Sequence, residues 1–123
     1  MSESANKATV RRYIDGFNKL DADQILSCLT EDIRWTVFGH FQLEGKEAYR
    51  GAISNPDTPG KPRIEIIRMV EDGNTIMAEL YGEADHTNGS TIRMAMGEVF
   101  VFRGPLICER RAFVIPLQEN DFR

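Results

Sequence analysis

The chain has 123 residues, and its 15 lysine and arginine against 19 aspartate and glutamate residues give a formal net charge of −4. This length corresponds to one domain, with the hydrophobic (41%) and charged (28%) fractions of a globular protein. An acidic chain without a basic cluster is not expected to bind nucleic acid or an anionic membrane surface. Neither a membrane-spanning apolar run nor a secretory leader is evident, so a cytoplasmic location is expected.

Apolar residues in the first half of the chain recur with the spacing of amphipathic helices. Those between positions 10 and 17 form one stripe, which predicts a first helix. Asp21 is a suitable N-terminal cap for a second helix, and residues 45–53 predict a third. Between the second and third helices, the alternating residues 33–37 predict a strand that Gly39 ends.

Four further strands are predicted in the second half of the chain, separated by turn signals. They span residues 63–71, 75–85, 91–103 and 106–115. The pairs Asp72-Gly73 and Asn88-Gly89 are typical of hairpin turns. The longest strands must curve, and Gly82 or Gly97 is where a bulge or bend is expected.

This order of elements predicts an α+β fold, in which three N-terminal helices pack on a strongly curved antiparallel sheet. Such a sheet forms a cone with an internal pocket. The opposite face is also partly apolar, because Ala95, Gly97, Val99 and Val101 share one side of a strand. A second copy of the chain is the simplest cover for that face, so a homodimer is expected.

Several motifs, in order along nearly the whole chain, resemble those of the nuclear transport factor two-like superfamily. The stretch 31–39, EDIRWTVFG, is similar to the DxxWxxPG pattern of SnoaL-like domains, with Phe38 in place of the usual proline. GKEA at 45–48 and the stretches 98–104 and 107–113 complete the resemblance. It implies a single SnoaL-like domain over residues 1–123, in a superfamily of ketosteroid isomerases, polyketide cyclases, limonene epoxide hydrolases and non-enzymes.

Glu98 is the most unusual residue of the predicted sheet. Counting in steps of two places its carboxyl group on the face of Met94, Met96 and Phe100. Burial there favours the protonated acid, which can donate a hydrogen bond to a developing oxyanion. The resemblance places Glu98 where the isomerases have their oxyanion-binding aspartate. A bulge at Gly97 would instead turn Glu98 to solvent.

Tyr13 is the second candidate catalytic residue. The resemblance aligns Arg12-Tyr13-Ile14 with the isomerases' oxyanion-hole tyrosine, whose phenol donates a hydrogen bond to a carbonyl oxygen. The alternative is a core tyrosine with its hydroxyl at the rim.

The positions that hold a catalytic base in the related enzymes carry none in this sequence. Val37 occupies the position of the isomerase aspartate, and Ile115 that of the aspartate on the last strand of the cyclases. The aspartate that the hydrolases have on the last strand is also missing. His40 is the remaining candidate base, because histidine titrates near neutral pH. An exposed loop histidine is the alternative.

The walls of the pocket, and so the ligand-binding residues, are predicted from strand faces and from the resemblance. They are Trp35, Val37, Met94, Met96, Phe100, Arg111, Phe113 and Ile115. Arg111 can neutralise Glu98, or can form a surface salt bridge with Glu109 or Glu83. No cofactor is expected, and two isolated histidines do not make a metal site.

Three functions remain open from the sequence. The first is an isomerase, cyclase or hydrolase acting on a small apolar molecule through Glu98 and Tyr13, with His40 as a base. The second is a non-catalytic protein that binds a small hydrophobic ligand. The third is a dimerisation module whose predicted pocket is simply core.

Overall fold

The computed structural model describes residues 3–118, which form three helices and six strands. The bounds are α1 Ala5–Lys19, α2 Ala22–Leu26, β1 Leu29–Val37, β2 Phe41–Glu44, α3 Lys46–Ala52, β3 Arg63–Asp72, β4 Thr75–Asp85, β5 Thr91–Arg103 and β6 Leu106–Pro116. The helices pack on one face of a curled open sheet, which confirms the predicted α+β class. No helix within residues 3–118 is long and apolar enough to cross a membrane.

Both N-terminal helices begin at side-chain caps. The Ser4 side chain accepts a hydrogen bond from the Lys7 amide of α1, and Asp21 caps α2 through the amide of Gln24. Leu20 ends α1 in the left-handed conformation, with φ of 53°. The apolar stripe of α1 is buried against the sheet, as predicted, and it carries Tyr13 and Phe17 into the interior.

The six strands form one sheet in the order β2-β1-β6-β5-β4-β3. The prediction of an antiparallel sheet is wrong in one respect, since β1 runs parallel to β6. β2 was not predicted, because its exposed residues lack the alternation of a half-buried strand. It pairs antiparallel with the end of β1 through a turn at Phe38–His40 and so forms one edge of the sheet.

Three irregularities interrupt the ladders, and none lies at a predicted glycine. One is in the pairing of β1 with β6, between Leu29 and Arg34. Pairing also shifts at Ile67 in β3 and at Cys108 in β6, whereas Gly82 and Gly97 lie in regular register. At the shift in β6, Phe102 pairs with Ile107 but Val101 pairs with Glu109, so Cys108 is an extra residue.

The bulge at Cys108 reverses which face of the sheet the rest of β6 presents. Counting in steps of two from the buried Ile107 predicts that residues 109, 111, 113 and 115 face inward. The extra residue moves the inward positions to 110, 112 and 114 instead. The core therefore lies between the helices and the concave face of the sheet, with Arg110 inside it.

Candidate functional site

Glu98 lies inside the cone and is completely buried. It faces inward from β5, as its strand pattern predicts, and the alternative of a bulge at Gly97 is excluded by the regular register there. Its neighbours across the sheet are Ala78 on β4 and Ala112 on β6, both also buried. These small side chains leave the carboxylate as the only large group in its row of the inner face among these three strands.

Arg110 pairs with Glu98 through two hydrogen bonds. Its Nε donates to Oε1 at 2.7 Å, and its Nη2 donates to Oε2 at 2.9 Å. The side chains of Arg110 and Glu98 are 8% and 1% exposed, so both charges are removed from water. Burial alone would lower the pKa of Arg110, but the Glu98 carboxylate and the two neighbouring phenols hold that pKa above its ordinary value.

This pairing changes the role of Glu98 that the sequence predicts. A carboxylate that accepts both hydrogen bonds from a guanidinium is an acceptor in its ionised form. The expected neutral acid, donating a hydrogen bond to a ligand oxygen, does not fit this geometry. Arg110, rather than Arg111, neutralises Glu98.

Two tyrosines complete the polar cluster, Tyr13 from α1 and Tyr49 from α3. Nη1 of Arg110 donates to the hydroxyl of Tyr13 at 2.5 Å and to that of Tyr49 at 3.2 Å. The two hydroxyls are also hydrogen-bonded to each other. Both residues are wholly buried, and burial raises the pKa of Tyr13 well above its ordinary value and also raises that of Tyr49.

Aromatic rings surround the Arg110 guanidinium. Its Cζ lies 4.4 Å from the centroid of Trp35 and 5.3 Å from that of Phe17. The Trp35 ring is in turn stacked on Tyr49, with 4.7 Å between centroids. Phe100 pairs with Arg110 across the sheet and packs edge-on against Tyr13. Tyr13, Trp35 and Phe100, predicted as a catalytic donor and as pocket walls, therefore lie around Arg110, and Val37 is buried in the same core.

The cluster holds more hydrogen-bond donors than acceptors. The two hydroxyls carry two protons, but only one of these lies in the bond between them, and both oxygens already accept from Arg110. Within residues 3–118, neither the second hydroxyl proton nor the buried Trp35 Nε1–H has an acceptor. The interior therefore combines apolar surroundings with a polar cluster whose charges balance and whose donors outnumber its acceptors.

Met94 and Met96 lie on the same face of β5 as Glu98, nearer the start of the strand. Both are half-buried, and Met96 packs against the core. A Cβ at Gly82 would lie 2.7 Å from Cε of Met96 and 3.6 Å from Cε of Met94, so both side chains cover this glycine. The predicted wall residues of β5 thus include half-buried as well as fully buried side chains.

Three predicted wall residues lie on the opposite face. Arg111, Phe113 and Ile115 point outward because of the bulge at Cys108, so the prediction that they line an internal pocket, with Arg111 beside Glu98, is wrong. Phe113 and Ile115 are 43% and 62% exposed, and Arg111 pairs with Glu109 at 3.2 Å. This last contact is the surface salt bridge given as the alternative.

His40 lies in the exposed turn between β1 and β2, where its amide donates to the Val37 carbonyl at 2.9 Å. Its role as a base stays a prediction. In the part of the chain that the structure describes, no cluster of three histidine, cysteine or acidic residues could hold a metal ion. A surface cleft of about 640 Å³ lies away from Arg110, between the end of α1 and the start of β3.

Sequence reasoning missed Arg110 and Tyr49. The bulge that brings Arg110 inward has no sequence signal of its own, since Cys108 suits a regular strand equally well. Tyr49 is visible as an apolar-face residue of α3, but nothing local to α3 marks its hydroxyl as functional. The usable signal for Arg110 was the chemistry of Glu98, because a buried carboxylate needs a basic partner from a neighbouring strand.

We expect alkaline pH to destabilise the fold through the buried tyrosines. Tyr13 and Tyr49 ionise near pH 10 in the unfolded chain, whereas burial holds the folded-state pKa of each higher. The stability that these two neutral phenols contribute to the folded state is therefore fully present below about pH 10. It is lost as the pH rises towards the folded-state pKa. Each tyrosine should lower the free energy of unfolding by about 1.4 kcal/mol per pH unit in that range.

Urea unfolding at a series of pH values above and below about 10, followed by circular dichroism, measures this slope. The Tyr13→Phe variant is the matched control, because it keeps the ring and lacks the titrating group. Its free energy should fall less steeply with pH. Parallel curves for the two proteins would contradict the prediction.

The fold and the buried cluster define a helix-covered, curled-sheet protein with a polar centre. The model of the SnoaL-like domain family matches residues 10–110, and the chain belongs to this family. No curated protein matches the sequence.

Solved structures show the same fold at low sequence identity. An LEH-like epoxide hydrolase from M. tuberculosis is 14% identical, with a TM-score of 0.80 over 90% of this chain and 83% of that one. SalBIII, an epoxide hydrolase/cyclase-like enzyme of pyran ring formation in salinomycin, is 22% identical, with a TM-score of 0.78 over 89% and 90%. Bal32a, from a soil-derived mobile gene cassette, is 19% identical, with a TM-score of 0.81 over 89% and 88%.

Proposed function

We propose that the chain binds a small, neutral, apolar molecule inside the cone, through an acceptor oxygen of that molecule. The observation that carries this proposal is the excess of donors in the buried cluster of Glu98, Arg110, Tyr13 and Tyr49. A hydroxyl proton buried without an acceptor costs about 1–3 kcal/mol, which a carbonyl or ether oxygen would offset. A hydrocarbon with one such oxygen matches the apolar walls and the polar centre.

The charge balance of the cluster supports a neutral ligand over an anion. Both Glu98 oxygens accept from Arg110, so the guanidinium charge is compensated before any ligand enters. A carboxylate ligand would add a second negative charge to a site with one positive charge. Its desolvation would then lack a partner.

Tyr49 is the donor that this arrangement assigns to the ligand. The shorter bond from Arg110 goes to Tyr13, and a hydroxyl that accepts a charge-assisted bond becomes a better donor in turn. Tyr13 then donates to Tyr49, and the proton of Tyr49 remains for the ligand oxygen. We propose that the ligand enters past the half-buried Met94 and Met96, whose flexible side chains can move aside.

Binding is better supported than proton abstraction. The inward positions near the end of β6 are Ala112 and Val114, and Val37 occupies the position on β1, so neither strand supplies a base there. Glu98 is committed to Arg110. Isomerase, cyclase or hydrolase chemistry with Glu98, Tyr13 and His40 would need His40 to reach the interior from its exposed turn.

The test compares cyclohexanone with methylenecyclohexane, which has the same shape but no acceptor oxygen. We expect cyclohexanone to bind more tightly to the wild-type chain, and Tyr49→Phe to weaken that binding by about fivefold, the value of one hydrogen bond. Binding is measured by ligand-observed NMR titration. Methylenecyclohexane is the matched ligand control, whose affinity Tyr49→Phe should leave unchanged. Equal affinities of the wild-type chain for the two compounds would contradict the proposal.

We also propose that a second copy of the chain covers the outer face of the sheet. Val70, Met77 and Val99 lie side by side in register there, and the first two are 64% and 51% exposed. Phe113 and Ile115 continue the same apolar patch. Residues of both charges border this patch, such as the ion pair of Arg68 with Glu79. A two-fold symmetric dimer can therefore place unlike charges opposite each other.

A further inference from the structure

Trp35 is an unsatisfied donor at the centre of the molecule. The residue is only 7% exposed, and its buried Nε1 has no hydrogen-bond partner within residues 3–118. A buried N–H without an acceptor costs about 1–3 kcal/mol, and native structures keep few such groups. Phenylalanine would fill much of the same space without this penalty. The indole nitrogen therefore requires an explanation beyond packing.

The side chains around the indole supply no acceptor. Its ring neighbours are Phe17, Phe41, Tyr49 and the guanidinium of Arg110. The first two have no polar side-chain atoms, Arg110 has only donors, and the Tyr49 oxygen already accepts from Arg110. The indole thus stands beside the tyrosine pair as a second, separate donor in the same interior.

We propose that the ligand of this interior carries two acceptor oxygens, one for Tyr49 and one for Trp35 Nε1. This inference rests on the proposed function and adds the class of ligand: a small neutral molecule with two carbonyl, ester or ether oxygens on an otherwise hydrocarbon frame. Trp35 is then the residue that distinguishes such a molecule from a simple ketone. The stacking of Trp35 on Tyr49 keeps the two donors in one neighbourhood.

The single tryptophan makes the indole directly observable. Because the chain contains one tryptophan, a nitrogen-15 correlation spectrum has one indole N–H signal. We would titrate the wild-type chain with cyclohexanone and with 1,4-cyclohexanedione, which adds a second carbonyl to the same ring. The dione is the more polar compound, so apolar burial alone favours cyclohexanone.

The proposal predicts that the dione binds about fivefold more tightly than cyclohexanone and moves the indole proton signal downfield. In Trp35→Phe, where binding is followed on the ligand signals, the affinity ratio of dione to cyclohexanone should fall, because the dione loses the acceptor contact that cyclohexanone does not make. A stationary indole signal with the dione, or an indole signal that cyclohexanone moves equally, would overturn the inference. Failure of cyclohexanone to bind better than methylenecyclohexane would instead remove the proposed function, and this inference with it.

Discussion

Replacing Arg110 with methionine should lower the free energy of unfolding by about 3–5 kcal/mol, because it leaves the Glu98 carboxylate buried without a partner. Methionine fills much of the arginine stem's volume, so the loss reports on charge more than on a cavity. The substitution also removes the donor that Tyr13 and Tyr49 share. Urea unfolding at neutral pH, followed by circular dichroism, measures the change.

Two controls separate the buried charge from packing and from surface charge. The double variant Glu98→Leu/Arg110→Met removes both charges and should recover most of the lost stability, since well-packed apolar residues can replace a buried ion pair. Arg103→Met breaks an exposed pair with Asp32, in which the side chains are 64% and 59% exposed, and should cost much less than Arg110→Met, because water screens an exposed pair. If Arg110→Met costs no more than Arg103→Met, the buried pair does not stabilise the fold as described.

The second large effect is expected on assembly. Phe113→Glu should raise the dissociation constant of the proposed homodimer by about 100-fold or more, because an unpaired carboxylate buried in an interface costs at least about 3 kcal/mol. Phe113 stacks on Phe38 and lies over Gly97 within the apolar patch of the outer face. Sedimentation velocity over a range of protein concentrations measures the dissociation constant.

Phe41→Glu is the matched control for this substitution. Phe41 is 42% exposed against 43% for Phe113, but it pairs with Val37 and packs on Trp35, towards the other face of the sheet. Its variant should leave the association unchanged, although it lies close to the interior site. A wild-type chain that is monomeric at micromolar concentration, or equal weakening in both variants, would refute the homodimer.

The secondary structure could be predicted closely because burial imposes its period on the sequence. The stripe of α1 and the alternation of β5 follow from one buried face each, and both placed their inward residues correctly, Tyr13 and Glu98 among them. β2 lacked such a face and was missed. The parallel pairing of β1 with β6 depends on how distant segments meet, which no local pattern encodes.

The candidate site was predicted only in part, since its geometry depends on one extra residue. Glu98 was placed correctly by counting along a regular strand, but the same counting along β6 failed at Cys108. That failure exchanged Arg110 for Arg111 and changed the inferred chemistry from a neutral acid to an ion pair. The role of Tyr49 could not be predicted from the sequence, because only the tertiary packing of α3 against β1 brings its hydroxyl to Tyr13.

The positions of Glu98, Arg110 and Tyr13 along the chain have a consequence for the order of folding. The β5–β6 hairpin can bring Glu98 and Arg110 together early, because they are 12 residues apart in the chain, whereas the bond from Arg110 to Tyr13 spans 97 residues. Closing so long a loop is slow, because its entropy is lost before the contact is gained. Glu98 and Arg110 can therefore pair before the two tyrosines pack against them. The complete buried cluster, with its excess of hydrogen-bond donors, forms only when α1 has packed against β6.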